Sequence, residues 1–141
     1  MTDILVASDA EWVREQLKAV LGGPNTRVRT VSTGARILPA VRRRAADLVI
    51  LDLQIGNMGA IAVCQDLRLE ESGGRLDHVR VLMLLDRRAD VFLARRSGAE
   101  GWVIRPLDPI RLRRATTAIL EGGTYYDESF KPAPLLVPRT P

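Results

Sequence analysis

Cysteine, histidine, lysine and aromatic residues are all scarce in this chain of 141 residues. The single cysteine, Cys64, excludes an intramolecular disulfide and suits a reducing compartment. One cysteine and one histidine, His78, cannot assemble a Cys/His metal motif. Aromatic residues make up only 4% of the chain, so the core has to be aliphatic, built from Leu, Val, Ile and Ala. No window approaches the roughly 18 uninterrupted apolar residues that a membrane-spanning helix needs. The N-terminal Met-Thr-Asp lacks the charged start and long apolar stretch of a secretory signal. A cytoplasmic protein without a membrane span is expected. Glycine-rich phosphate loops are missing too. The turn after the first apolar run reads Ala7-Ser8-Asp9-Ala10-Glu11, with an acid and no glycine, which excludes a dinucleotide-binding turn, and there is no P-loop.

Arginine is abundant. Of 21 cationic residues only Lys18 and Lys131 are lysines, and the net charge is +4 with a pI near 10.0. Such a balance suits an acidic protein surface or nucleic acid, but it speaks to association and not to fold. Only 18 residues follow Gly123, too few for a helix-turn-helix module, so nucleic acid is not expected as a partner.

Short apolar runs alternate with amphipathic stretches. Ile4 to Ala7, Leu48 to Leu51, Val79 to Leu85 and Gly101 to Ile104 read as strands, with a weaker one around Val28 and Val31. Helices are expected over residues 10–21, after Ser32-Thr33-Gly34, over 60–69, over 88–97 and from Asp108-Pro109 to Glu121. Pro39 implies a second helix that is kinked or starts late. Continuous apolar strands separated by helices imply an α/β domain, a doubly wound five-stranded parallel sheet with five helices, over residues 1–123. Residues 124–141 read as a proline-rich tail, with Tyr125, Tyr126 and Phe130 docked ahead of it.

In such sheets the working site lies at the carboxyl ends of the strands. There the chain places Ser8-Asp9, Asp52, Leu85-Asp86 and Arg105-Pro106. Carboxylates beside a cation suit Mg²⁺, and a carboxylate so placed can attack phosphorus to give an aspartyl-phosphate.

At these residues the sequence resembles the response-regulator receiver family, the CheY-like domains of two-component signalling. The likeness rests on Ile4-Leu5-Val6-Ala7-Ser8-Asp9, on Asp47-Leu48-Val49-Ile50-Leu51-Asp52 and on residues 97–106, Ser-Gly-Ala-Glu-Gly-Trp-Val-Ile-Arg-Pro. It implies a CheY-like (flavodoxin-like) fold, with Asp52 as phosphoacceptor and Asp9, Asp52 and the Gln54 backbone carbonyl as Mg²⁺ ligands. Trp102 takes the family's rotating aromatic position, and Arg105-Pro106 its cis peptide bond.

The departures are physical changes. Ser8 replaces the first acid of the usual pair, which weakens the Mg²⁺ site. Leu85 replaces a Thr or Ser and cannot hydrogen-bond a phosphoryl oxygen. Arg105 replaces a lysine, a planar fork in place of a compact ammonium. The expectation is a stand-alone, atypical receiver that takes phosphate from a histidine kinase or phosphotransfer protein. It would have no enzymatic turnover of its own and would act through a downstream protein partner. A pseudo-receiver, binding partners independently of phosphorylation, is the alternative, and a DNA-binding regulator a third. The arginines at 87, 88, 95, 96, 111, 113 and 114 fall on the fourth helix–fifth strand–fifth helix face, where the resemblance implies partner binding or a homodimer. Arg42-Arg43-Arg44 reads as a solvated helix end, Cys64 as a buried thiol, and Trp12 and Met58 as packing residues.

Overall fold

Ile4 and Val6 leave the first strand on one side and Leu5 and Ala7 on the other, and the two pairs enter different cores. The computed structural model describes residues 1–53 and 59–128. Gln54, Met58 and the tail beyond Glu128, including Phe130, lie outside the described residues. The strands are β1 (Thr2–Ala7), β2 (Thr26–Val31), β3 (Leu48–Asp52), β4 (Val81–Leu85), β5 (Gly101–Ile104) and β6 (Tyr125–Tyr126), all parallel, in the order β2-β1-β3-β4-β5-β6. Between them run α1 (Glu11–Leu21), α2 (Ile37–Arg43), α3 (Ala60–Ser72), α4 (Val91–Arg96) and α5 (Pro109–Leu120). On one face of the sheet, Ile4, Val6, Leu48, Ile50, Leu82, Leu84 and Val103 pack against Val13 and Leu17 of α1 and Leu112, Ala115 and Ile119 of α5. On the other, Leu5, Val49, Leu51, Val81 and Met83 meet Ile37 and Val41 of α2, Val63 and Leu67 of α3, and Ala94 of α4. Each fully buried Leu or Ile contributes about 2 kcal/mol, so this doubly covered sheet carries the fold.

Local chemistry sets the helix ends. Asp108 caps α5, its carboxylate accepting from the Ile110 N–H at 2.9 Å, with Pro109 in the first turn. Pro39 sits in the first turn of α2, where a missing N–H costs nothing, and a 3-10 turn (Gly34–Arg36) precedes the helix. The second helix therefore starts late. Cys64 is buried on α3, its Sγ donating to the Ser97 carbonyl at 3.3 Å, and burial pushes its pKa up.

The sheet has six strands where the sequence led us to expect five. After Gly122, at φ +92°, the chain turns back, and Tyr125 and Tyr126 pair with Gly101 and Trp102. Tyr125 and Tyr126, expected at the head of the tail, thus belong to the sheet, and the Asp127 N–H donates to the Trp102 carbonyl at 3.2 Å. Gly101 allows the approach, because a Cβ there would collide with the Tyr125 carbonyl. The Asp127 carboxylate then accepts from the Ile104 N–H at 2.9 Å and lies 3.5 Å from Arg111 Nη1. Asp127→Ala is expected to lower unfolding stability by about 2 kcal/mol, since it orphans a buried N–H. Urea unfolding monitored by circular dichroism measures it, and a loss under about 0.5 kcal/mol would count against this role.

Candidate functional site

β1 and β3 are neighbours in register, Ala7 beside Leu51, so the residues just beyond them, Ser8 and Asp52, meet at the carboxyl edge of the sheet. This is the switch point where chain crossovers diverge to opposite sides, leaving a crevice above the strand ends. Ser8 is fully buried and Asp52 almost so. The Ser8 hydroxyl donates to Asp52 Oδ2 at 2.8 Å and accepts from the Ala10 N–H at 3.1 Å. From the end of β5, Arg105 Nη2 donates to the same Asp52 oxygen at 2.9 Å, and Arg105 Nε donates to Asp86 Oδ1 at 2.6 Å. One guanidinium therefore bridges the carboxylate after β4 to the one at the end of β3. The Arg105-Pro106 bond is cis, as the resemblance implied.

Ser8, Asp52 and Arg105 are thus brought together. Asp9 follows Ser8 at the rim and is exposed. Leu85 is fully buried in the apolar cluster that also holds Trp102. Trp102 is 2% exposed and stacks on Tyr126 with ring centroids 4.4 Å apart. Its Nε1 has no hydrogen-bond partner among the described residues. The aromatic position is therefore covered by the added strand.

One contributor was placed at the strand ends without its role, and two were missed by reading the sequence. Asp86 ended the fourth run, but only side-chain direction shows that it shares Arg105 with Asp52. Arg14 donates to the Ser8 carbonyl at 2.7 Å and adds a second cation. Trp12, expected in the core, is 62% exposed, and the Arg105 guanidinium lies 5.3 Å from its ring centroid. The apolar stripe of α1 is Val13 and Leu17, and Trp12 falls beside it, toward the site. Among the described residues no group of three or more His, Cys, Asp and Glu side chains is placed to hold a metal ion.

The chain is similar to known proteins in sequence and in fold. The DNA-binding response regulator MtrA of Mycolicibacterium smegmatis is 35% identical over 111 residues, covering 77% of this chain and 46% of that protein. The chain spans about half the length of the curated relatives it matches. The crystal structure of a LuxR-family two-component response regulator from Aurantimonas sp. SI85-9A1 superposes with a TM-score of 0.79 at 24% identity, covering 92% of both chains. The chemotaxis response regulator CheY4 of Vibrio cholerae gives 0.74 at 20% identity, covering 83% of this chain and 97% of that one. At these identities the two structures share the fold. Residues 4–117 match the response regulator receiver domain, and with the relative above this shows that the chain belongs to the response-regulator receiver family.

Proposed function

We propose that this receiver accepts a phosphoryl group on Asp52 from a histidine kinase or phosphotransfer protein and passes the signal to a protein partner. The observation that carries the reading is the Arg105 fork, which holds the Asp52 carboxylate and its neighbour Asp86 with one cation at the strand ends. In the transfer an Asp52 oxygen attacks the phosphorus of a phosphohistidine. A P–O bond forms, the P–N bond breaks, and its electron pair leaves on the imidazole, which takes a proton from water. Ser8 and Arg105 fix the attacking carboxylate in one orientation, which spares part of the entropy of reaching that geometry. A hydrated Mg²⁺, for which Asp9, Asp52 and the Gln54 carbonyl are the proposed ligands, would spread the negative charge of the incoming group. With Ser8 in place of an acid, that ion is expected to bind weakly.

Incubation with a small acyl phosphate and Mg²⁺, followed by intact mass spectrometry, tests the reading. The wild type is expected to gain the mass of one phosphoryl group and Asp52→Asn none. No gain on the wild type, or equal gain on Asp52→Asn, would defeat it.

The output surface is proposed to be the arginine-rich side of α4 and α5. Arg88, Arg95, Arg96, Arg113 and Arg114 are exposed there, beside exposed Phe92 and Leu93, which suits an acidic, partly apolar partner or a second copy of the chain. The edge of β5 is paired with β6, so contacts would come from the two helices. A phosphorylation-independent receiver is the second reading, favoured by Leu85 and by Trp102 held under Tyr126. In that case a pull-down with Asp52→Asn would recover the same partner as the wild type.

A further inference from the structure

At the end of the sheet away from Asp52, a cavity of about 400 Å³ opens between α5 and the loop that joins α1 to β2. That size suits a small organic molecule. Its loop wall is preformed. The Gly22 N–H donates to the Lys18 carbonyl at 2.9 Å, and the Thr2 N–H to the Asn25 carbonyl at 2.9 Å. Gly23 and Thr26 exchange N–H to carbonyl bonds at 3.3 and 3.2 Å, so the loop is tied to α1 and β1. Ile4, Val20 and Leu120 give the cavity an apolar side. Thr116 of α5 lines it too. This side chain is only 5% exposed, yet its hydroxyl has no hydrogen-bond partner among the described residues. A helical threonine can ordinarily turn Oγ1 to the carbonyl one turn back, so a buried hydroxyl left unpaired calls for an explanation. Arg113, exposed at the edge, donates one long bond from Nε to the Val20 carbonyl at 3.4 Å and forms no ion pair among the described residues. No carboxylate lines the cavity among those residues.

We propose that this cavity binds a small organic carboxylate with an apolar tail. The carboxylate accepts from the Arg113 guanidinium and the Thr116 hydroxyl, and the tail lies on Ile4, Val20 and Leu120. Arg113 and Thr116 stand three residues apart on α5, so they are neighbours on the helix surface and can share one ligand group. Rotation about χ1 turns the hydroxyl to the ligand without moving the backbone. A single cation matches a single negative charge, whereas a phosphate dianion would leave one charge without a partner beside an apolar wall. The site does not involve Asp52 and stands apart from the phosphoryl reading.

Isothermal titration calorimetry of the whole chain with hexanoate and with benzoate tests the proposal. Acetate, which has no apolar tail, and 1-hexanol, which has no charge, are the controls. At least one of the two acids is expected to bind saturably, and to raise the melting temperature by about 4 °C at about ten times its Kd. Acetate and 1-hexanol are expected to bind about tenfold more weakly or worse. Thr116→Val keeps the shape of the side chain and removes the unpaired hydroxyl. It is expected to weaken the acid about tenfold while the protein without ligand melts no lower than wild type. Arg113→Gln, a surface change, is expected to weaken the acid about tenfold and to leave 1-hexanol unaffected. No saturable binding of either acid up to about 10 mM overturns the proposal. So does an acid whose Kd stays within about twofold in either variant, since other residues then hold it. Binding of 1-hexanol as tight as that of hexanoate overturns the carboxylate assignment. A Thr116→Val protein that melts more than about 2 °C below wild type without ligand assigns the hydroxyl to the fold and overturns its role here.

Discussion

Replacing Ser8 with aspartate is expected to lower stability by about 3 kcal/mol in EDTA and to make the protein respond to Mg²⁺. The serine is fully buried, and its hydroxyl donates to Asp52 while accepting from Ala10. A carboxylate in its place can still accept from Ala10 but has no proton for Asp52. Two negative groups then face each other near the strand ends, at a cost of about 4 kcal/mol for charges roughly 4 Å apart at an effective dielectric constant of about 20. Arg105 offsets only part of this, because its fork is already divided between Asp52 and Asp86. A divalent ion that binds the folded state alone would return about 2.7 kcal/mol at a hundredfold excess over its Kd. Ser8→Ala separates the causes: it leaves Asp52 and the Ala10 N–H one partner short, which costs about 1 kcal/mol, and Mg²⁺ should not alter the loss. Urea unfolding with and without Mg²⁺ reads both variants. Ser8→Asp as stable as wild type in EDTA, or indifferent to the ion, would show that the pocket is not the charge-limited site described here.

The parts that could be read from the sequence are those whose chemistry is local or periodic. β3 and β4 are buried on both faces, so they stand out as continuous apolar runs, and Asp52 and Asp86 are marked by ending or following such runs. The Asp108-Pro109 start of α5 needs only neighbouring residues. What escaped depends on pairs far apart in the chain. β6 has two residues, too few to show alternation, and it exists because Gly101 admits the Tyr125 backbone and Asp127 reaches Ile104 and Arg111. Trp12 adjoins Val13 of the apolar stripe of α1, and its pairing with Arg105 spans most of the domain. Ser8 was read as a missing acid. Its hydrogen bond to Asp52 makes it an orienting group as well.

Arg68→Leu is expected to cost about 3 kcal/mol, far from the Asp52 carboxylate and by a different route. At the opposite end of the sheet, Arg68 Nη1 donates to the Val79 carbonyl at 2.7 Å and to Glu71 at 2.8 Å. Its Nη2 donates to the Gly98 carbonyl and to Glu100, both at 3.0 Å. The same two carboxylates accept the backbone N–H groups that lead into β4, Glu71 from Val79 at 2.6 Å and Glu100 from Val81 at 2.7 Å. His78 lies ahead of this strand, exposed, with one ring nitrogen against each glutamate. The side chains of Arg68, Glu71 and Glu100 are 22%, 14% and 17% exposed, so water screens them only partly. Leucine keeps the aliphatic stem but removes every donor, leaving two half-buried carboxylates together and two carbonyls to find water. Arg68→Lys should recover about half of the loss, because one ammonium keeps the charge but cannot span all four acceptors. The readout is the urea midpoint at unchanged slope. A leucine variant within about 1 kcal/mol of wild type would mean that His78 and the backbone hold this end of the sheet without the guanidinium.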